Sequence, residues 1–242
     1  MFGSGVKLRK SRSEAERPFW ISYADLMTAM MTLCLVVMAV TIVVISQKLA
    51  HKISAEARRA EDIAQLCRDL QQGVGGQAGI NVNCRDYRID FGEAGYFGDN
   101  DYKLHPAAQV YLATLVPAVL SAADSELGRK WLKQVVIEGY TDTRGSYLYN
   151  LYLSLQRSYW LMCTLVDPKM SAALHLSDLQ TQKIREIFLA GGVSFNDARE
   201  SLEASRRVEL RLQFLSLEEQ QSGVNLTRPA ILSTAQDACS LK

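Results

Sequence analysis

The chain has 242 residues, room for one ordinary globular domain plus further segments, and its 27 basic and 26 acidic side chains exclude the strongly cationic character of a nucleic-acid binder. Hydrophobic residues make up 48% of it, a share raised by one segment, FWISYADLMTAMMTLCLVVMAVTIVVI, at residues 19–45. These 27 residues carry a single charge and exceed the ~20 needed to cross hydrocarbon, so the sequence predicts one transmembrane helix over residues 18–46. No small-x-small cleavage pattern follows before SQKLAHK, so the segment is expected to stay as an anchor.

Lys7, Arg9, Lys10, Arg12 and Arg17 precede the span, while Lys48, Lys52, Arg58 and Arg59 follow it. The balance leans slightly toward a cytoplasmic tail over residues 1–17 and export of everything after the span. Residues 47–80 read as a juxtamembrane helix and a glycine-rich linker. Leu49, Ile53, Ala60, Ile63, Cys67 and Leu70 recur at three-four spacing, a candidate coiled-coil seam interrupted at Glu56. Such a seam serves either a second copy of the chain, giving a parallel homodimer, or the chain's own domain. The run GVGGQAG (residues 73–79) ends this helix as a flexible joint.

Beyond it, residues 81–215 read as a mixed α/β domain. DYRIDFG is a strand, PAAQVYLATLVPAVLSAA a helix with proline in its first turn, and KQVVIEGY a buried strand. The turn TDTRGS leads into an apolar-striped helix from Tyr147 to Val166, stopped by Asp167-Pro168. Ser177 with Gln180 resembles a capping box opening a further helix. Residues 185–192 fit either its continuation or a strand. RRVELRLQF alternates as a strand with one charged face, and residues 216–242 form a polar tail. Of the five cysteines, Cys34 lies in the span and Cys163 on a buried helix face. Cys67, Cys84 and Cys239 remain, allowing one disulfide; the alternative is that all five are reduced.

Two constellations carry chemistry. Asp25 is an isolated acid in the span, and Ser22, Thr28, Ala29 and Thr32 share its helix face at small, hydroxyl-bearing positions suited to helix contact. An acid there is expected to bind a proton or pair with a cation, or else to act only as a neutral helix contact. The second is Asp142, just past a strand end, with Arg157 about three turns into the next helix. An acid and a guanidinium across a cleft suit a zwitterion, although a turn-capping Asp and a solvated Arg fit the same spacing. The three scattered histidines, the absence of a phosphate loop and the absence of a CxxC pair point to no enzymatic, nucleotide or metal site and no cofactor.

WISYADLMTAMM (Trp20 to Met31) resembles the transmembrane signature of MotB-like stator proteins, and VIEGYTDTRGSYLYNLYLSLQR followed by RRVEL resembles the OmpA-like peptidoglycan-binding domain. The resemblance covers residues 18–45 and 87–214. It implies an α+β architecture: a single N-terminal transmembrane helix, a juxtamembrane helix, then an OmpA-like α/β sandwich. It further implies that Asp25 carries the ion, a proton, with Ser22, Tyr23, Thr28, Ala29 and Thr32 along the pathway and helix contacts. Asp142 and Arg157 would hold the diaminopimelate of the peptidoglycan stem peptide, with Asn150, Leu153 and Ser154 beside them. The implied assembly is a homodimer inside a pentamer of MotA-like multi-span subunits, anchored to the wall from the bacterial inner membrane.

Three positions depart from the family pattern: Ser158 stands for an alanine, Ser205 for an asparagine, and a Gly-Tyr-Gly-Glu segment is present only as AGGV, which predicts a rearranged third strand. The short connection between membrane and wall domain is most similar to the B subunits of Zorya anti-phage systems, whose partner is ZorA-like. Flagellar propulsion and a passive wall anchor are the alternatives. The ExbD and TolR proteins share a single span with an acid but lack the second motif.

Overall fold

The computed structural model describes residues 17–76, 79–223 and 238–240, and the chain divides into two units, Met1–Ala55 and Glu56–Lys242. Residues 1–16 of the expected tail over residues 1–17, residues 77–78 of the glycine joint, most of the C-terminal tail and the side chains of residues 17–19 and of Ser22 lie outside the described residues. Helix α1 (Arg17–Gly73) contributes to both units. In the first unit its most apolar 18-residue window has a mean hydropathy of 2.6 and none of it is buried within the chain. A helix apolar on every side, with no protein covering it, has the length and composition to cross a bilayer.

The second unit starts with the last turns of α1. Here the expected seam divides: Leu49 and Ile53 are 56% and 61% exposed, whereas Ile63, Cys67 and Leu70 are buried. The lower seam packs on the chain's own domain, together with Leu66, which the heptad reading leaves out. Polar contacts fix the same stretch. Asp62 accepts from Lys130 and from the Trp131 indole, both at 2.8 Å, and Arg59 Nε donates to the carbonyl of Leu215 at 2.8 Å. Cys67 is disulfide-bonded to Cys84 across the glycine loop. The bridge therefore ties the end of α1 to residue 84, on the far side of the glycine run.

Strands β1 (Asn81–Asn83) and β2 (Arg88–Asp90) form a hairpin. A short 3₁₀ turn and a loop lead to α2 (Ala108–Asp124), which starts two residues after Pro106. Helix α3 (Glu126–Trp131), capped by Ser125, feeds β3 (Leu132–Tyr140). Helix α4 (Tyr147–Val166) has the limits the sequence predicts, because Ser146 caps its start through the Tyr149 amide and Asp167-Pro168 ends it. Pro168 then opens α5 (Pro168–Ser171), followed by α6 (Asp178–Ile187) with the expected Ser177/Gln180 capping box. The chain turns at Ile187 into β4 (Phe188–Ser194), so the ambiguous run 185–192 is helix first and strand after. Helix α7 (Leu202–Ser205), β5 (Val208–Phe214) and α8 (Leu217–Gln221) complete the unit.

The sheet order is β1-β2-β5-β3-β4, with only the β3–β4 pair parallel. Period-two alternation sorts the strands into two faces. Val135, Ile137, Leu210 and Leu212 join Leu112, Leu115, Leu161, Leu165 and Ile184 from α2, α4 and α6 in one core that also takes in Cys67 and Leu70 of α1. Helix α4 lies so close to β3 that a Cβ on Gly139 would stand 2.0 Å from the carbonyl oxygen of Ser154. The AGGV run is the β4 edge strand: a Cβ on Gly192 would meet the Ser154 hydroxyl at 2.5 Å. A second disulfide, Cys163–Cys239, ties the C-terminal segment to α4, and the Asp167 carboxylate accepts from the Cys239 amide at 2.9 Å. The sequence reading allowed one bridge and left Cys163 reduced; a buried helix face turned out to be where the tail is fastened.

The Cys67–Cys84 staple closes a loop of sequence separation 17, worth about 3 kcal/mol by chain entropy. Replacing both cysteines by serine is expected to lower the thermal midpoint of the detergent-solubilised chain. Amide exchange should accelerate over residues 59–73, and unchanged exchange there would show that Asp62 and Arg59 suffice to hold the helix.

Candidate functional site

The C-terminal end of β3 opens into a cleft of about 250 Å³ lined by Asp142, Arg144, Asn150, Leu153, Arg157 and Arg206, with Asp99, Asn100, Thr141, Gly145 and Tyr149 at its walls. Four pieces of backbone build it: the turn after β3, the first turns of α4, the loop that precedes α2, and the segment between α7 and β5 that carries Arg206. Gly145, at φ 92°, makes the turn possible. Asn150 fixes the turn, its amide donating to the carbonyls of Arg144 at 2.6 Å and Ser146 at 3.2 Å.

Arg157 is 0% exposed. Its Nε donates to Asp101 O at 2.9 Å, Nη1 to Tyr140 O at 2.6 Å and Nη2 to Gly98 O at 3.2 Å, and the guanidinium stacks on Phe97 at 4.7 Å. Burial, reinforced by the nearby Arg206, lowers its pKa to about 10, so it stays cationic at neutral pH. The side chain thus joins α4, the end of β3 and the 97–101 loop. Most of its bonding capacity is spent on carbonyls before any ligand arrives.

Asp142 is 5% exposed and is held by two other arginines. Arg144 donates to it from its amide at 3.0 Å, from Nε at 3.2 Å and from Nη2 at 2.7 Å, and Arg206 Nη1 donates at 3.1 Å. Burial alone would raise the carboxyl's pKa; the hydrogen bonds from Arg144 and Arg206 outweigh it and bring the pKa down to about 2. Arg206 also donates through Nε to Phe97 O at 3.1 Å, and its own carbonyl accepts from the Phe97 amide at 2.8 Å.

Asp142 and Arg157, which the spacing could bring together, line one cleft with Asn150 and Leu153, which only the resemblance had pointed to; Asp142 and Arg157 are not an ion pair. Ser154 is absent from the cleft lining; its hydroxyl donates to Leu151 O at 2.7 Å and accepts from the Ser194 amide at 3.1 Å, joining α4 to β4. Sequence reasoning missed Arg144, Arg206 and Asp99 as site residues. Arg144 sits two positions after Asp142, where a long side chain folds back onto the acid of its own turn. Arg206 sits beside the strand motif RRVEL, but its approach to Asp142 depends on the sheet.

The ionic residues of the sheet's other face hold the loop that delivers Arg206. Glu209 is 1% exposed and accepts from Arg207 at 2.6 Å, Arg199 at 2.5 Å and Arg88 at 3.2 Å. Arg207 also reaches the Asp197 carboxylate at 3.2 Å and lies 4.1 Å from the centre of the Tyr140 ring. Ser205, in the position of the family's asparagine, closes this loop by accepting from the Arg199 amide at 2.9 Å and donating to Ser201 O at 2.8 Å. Ser158 is buried and returns its hydroxyl to Leu155 O at 3.0 Å.

In the first unit, Tyr23, Asp25, Thr28, Ala29 and Thr32 lie on the exposed surface of α1. The Thr28 hydroxyl donates to the backbone carbonyl of Asp25 and the Thr32 hydroxyl to that of Ala29, each at 2.9 Å. Both threonine hydroxyls thus donate within the helix.

An apolar helix fit to cross a membrane, followed by an α/β domain with a charged cleft, defines the class as a helix-anchored cleft protein. The chain belongs to the ZorB family: the Zorya protein ZorB of Escherichia coli O139:H28 (strain E24377A / ETEC) is 52% identical to it over 223 residues, 91% of either chain. No protein-family model matches. Among solved structures, it is similar to a putative MotB-like protein from Desulfovibrio vulgaris (18% identity, 67% of this chain and 97% of that one, TM-score 0.42). It is also similar to the cell wall anchor of the T6SS from Pseudomonas aeruginosa (21%, 62% and 97%, 0.35) and to the peptidoglycan-associated lipoprotein from Burkholderia pseudomallei (20%, 50% and 88%, 0.32).

Because the Asp142 carboxyl is held near pH 2 against ~3.9 when unfolded, its contribution, about 2 kcal/mol, is present in full above the unfolded value and is lost as pH falls toward 2. The stability gap between wild type and Asp142→Asn should therefore be widest at neutral pH and close between pH 4 and 2 in denaturant titrations. A gap independent of pH would show that packing, not the carboxylate's charge, is what the substitution removes.

Proposed function

We propose that this protein is the wall-anchored B subunit of a proton-driven, MotA/MotB-like stator complex that serves Zorya anti-phage defence. The observation that carries this reading is the 52% identity with a Zorya protein over 91% of both chains. On this reading it is a single-pass inner-membrane protein with a cytoplasmic N-terminus, and its second unit lies in the periplasm, where two disulfides are at home. It performs no enzymatic step and needs no cofactor; a proton is what it moves. Two copies pair through the span and the exposed upper seam at Leu49 and Ile53. A pentamer of ZorA-like multi-span subunits surrounds them.

Asp25 is the proton carrier in this assembly. An isolated carboxylate in hydrocarbon costs ~3 kcal/mol on insertion scales and lowers that cost by taking a proton, while ~2.3 kcal/mol per charge is available from each 100 mV of membrane potential. Small neighbours at Ala29 and Thr32 permit close approach of partner helices. The cleft holds the zwitterionic end of the stem peptide, with Asp142 facing an ammonium and the cationic Arg157 and Arg206 facing a carboxylate.

Asp25→Asn should abolish protection in plaque assays and proton uptake by proteoliposomes, yet leave co-purification with the ZorA-like partner intact. Protection at wild-type level would reduce Asp25 to a helix contact. At the wall, Asp142→Ala and Arg157→Lys are each expected to reduce pull-down on purified peptidoglycan at least tenfold. Lysine keeps the charge but cannot span three carbonyls, and retention by both variants would remove the cleft from wall binding.

A further inference from the structure

Arg144 Nη2 lies 2.7 Å from Asp142 Oδ2 and 2.6 Å from Asp99 Oδ1, so one nitrogen is held between two carboxylates from different segments. That is the environment an alkylammonium group requires. Close by, Thr141 lines the cleft, is 1% exposed, and its buried hydroxyl has no hydrogen-bond partner. A buried hydroxyl without a partner is an unmet acceptor and donor. An ammonium has three N–H groups to place, and Asp99, Asp142 and Thr141 offer three oxygens.

The geometry points to Arg144 as an internal placeholder: a ligand ammonium takes the position of its Nη2 between Asp99 and Asp142, with Thr141 Oγ1 as third acceptor, and the displaced Arg144 guanidinium takes the ligand's carboxylate. This inference rests on the cleft being the stem-peptide site and adds to it Asp99, Thr141 and Arg144. The exchange is ion for ion. The Arg144 side chain is 50% exposed and its surface pairing is weak, whereas Asp142 keeps Arg206 and the Arg144 amide throughout and is never a bare buried charge. Arg157 cannot be displaced in this way, because three carbonyls hold it; it stays in place, its charge facing the same carboxylate. Selectivity follows. A ligand with only an ammonium evicts Arg144 without giving it a new anion, so the cleft favours groups that carry both charges.

The test uses the full chain in detergent and isothermal titration with meso-diaminopimelate and with cadaverine, the same diamine lacking both carboxylates. Wild type should bind diaminopimelate more tightly than cadaverine. Arg144→Gln should bind cadaverine about fivefold more tightly than wild type, as expected when a surface ion pair no longer competes, and so narrow the preference. Thr141→Val, of nearly equal volume, should weaken both ligands, as should Asp99→Asn. Cadaverine affinity unchanged or reduced in Arg144→Gln overturns the placeholder role, and unchanged affinities in Thr141→Val remove the third acceptor. Should wild type fail to bind diaminopimelate, or Asp142→Ala bind it as well as wild type does, the stem-peptide reading itself fails, and the inference with it.

Discussion

The burial of one guanidinium organises the second unit. Arg157 is fully enclosed, and a cation in that position is tolerable only with its N–H groups paired. The pairing comes from the carbonyls of Gly98, Asp101 and Tyr140, which belong to a loop and to a strand end that no regular ladder brings together. Together with the two hydrogen bonds between Arg206 and Phe97, the arginine holds the 97–101 loop over the end of β3 and so brings Asp99 to the cleft. Close packing of α4 on Gly139 sets the height from which the side chain descends. A larger residue at 139 would lift α4 and dismantle the carbonyl cage before it touched any ligand.

On the other face of the sheet, a buried carboxylate plays the converse part. Glu209 stands opposite Glu138 in the β3–β5 register, and two acids side by side demand compensation. It comes from Arg88, Arg199 and Arg207 for Glu209, and from Arg211 at 3.2 Å and the Tyr140 hydroxyl at 2.5 Å for Glu138. Burial and then the Glu138 hydrogen bond push the Tyr140 hydroxyl far up, so it remains a donor. Adjacent residues divide the work. Arg207 enters this ionic layer, while Arg206 turns to Asp142 and the 97–101 loop, so the layer and the cleft share one stretch of backbone.

Helix α1 has two physical regimes. From Trp20 to Ile53 its large apolar side chains are exposed among the described residues, whereas from Glu56 onward it is part of the folded unit, fixed by Asp62, Arg59 and the Cys67–Cys84 bridge.

The apolar span, the limits of α4, the Ser177/Gln180 box and the α+β alternation were legible in the sequence because each depends on local patterns: composition, capping residues, proline and side-chain period. Asp142 and Arg157 were legible as neighbours because a strand, a turn and three turns of helix constrain their separation, whereas Asn150 entered only through the resemblance. Other features needed the tertiary structure. The 185–192 run had no period long enough to choose between helix and strand, and pairing with β3 chose. The heptad seam could serve two partners equally, and the domain core claimed its lower half. Cys163 looked like any small buried residue until the C-terminal segment came to rest against α4. Arg206 reaches Asp142 across 64 residues of chain and Asp99 reaches Arg144 across 45, and no local pattern reports contacts that depend on sheet order and on the placing of the 97–101 loop.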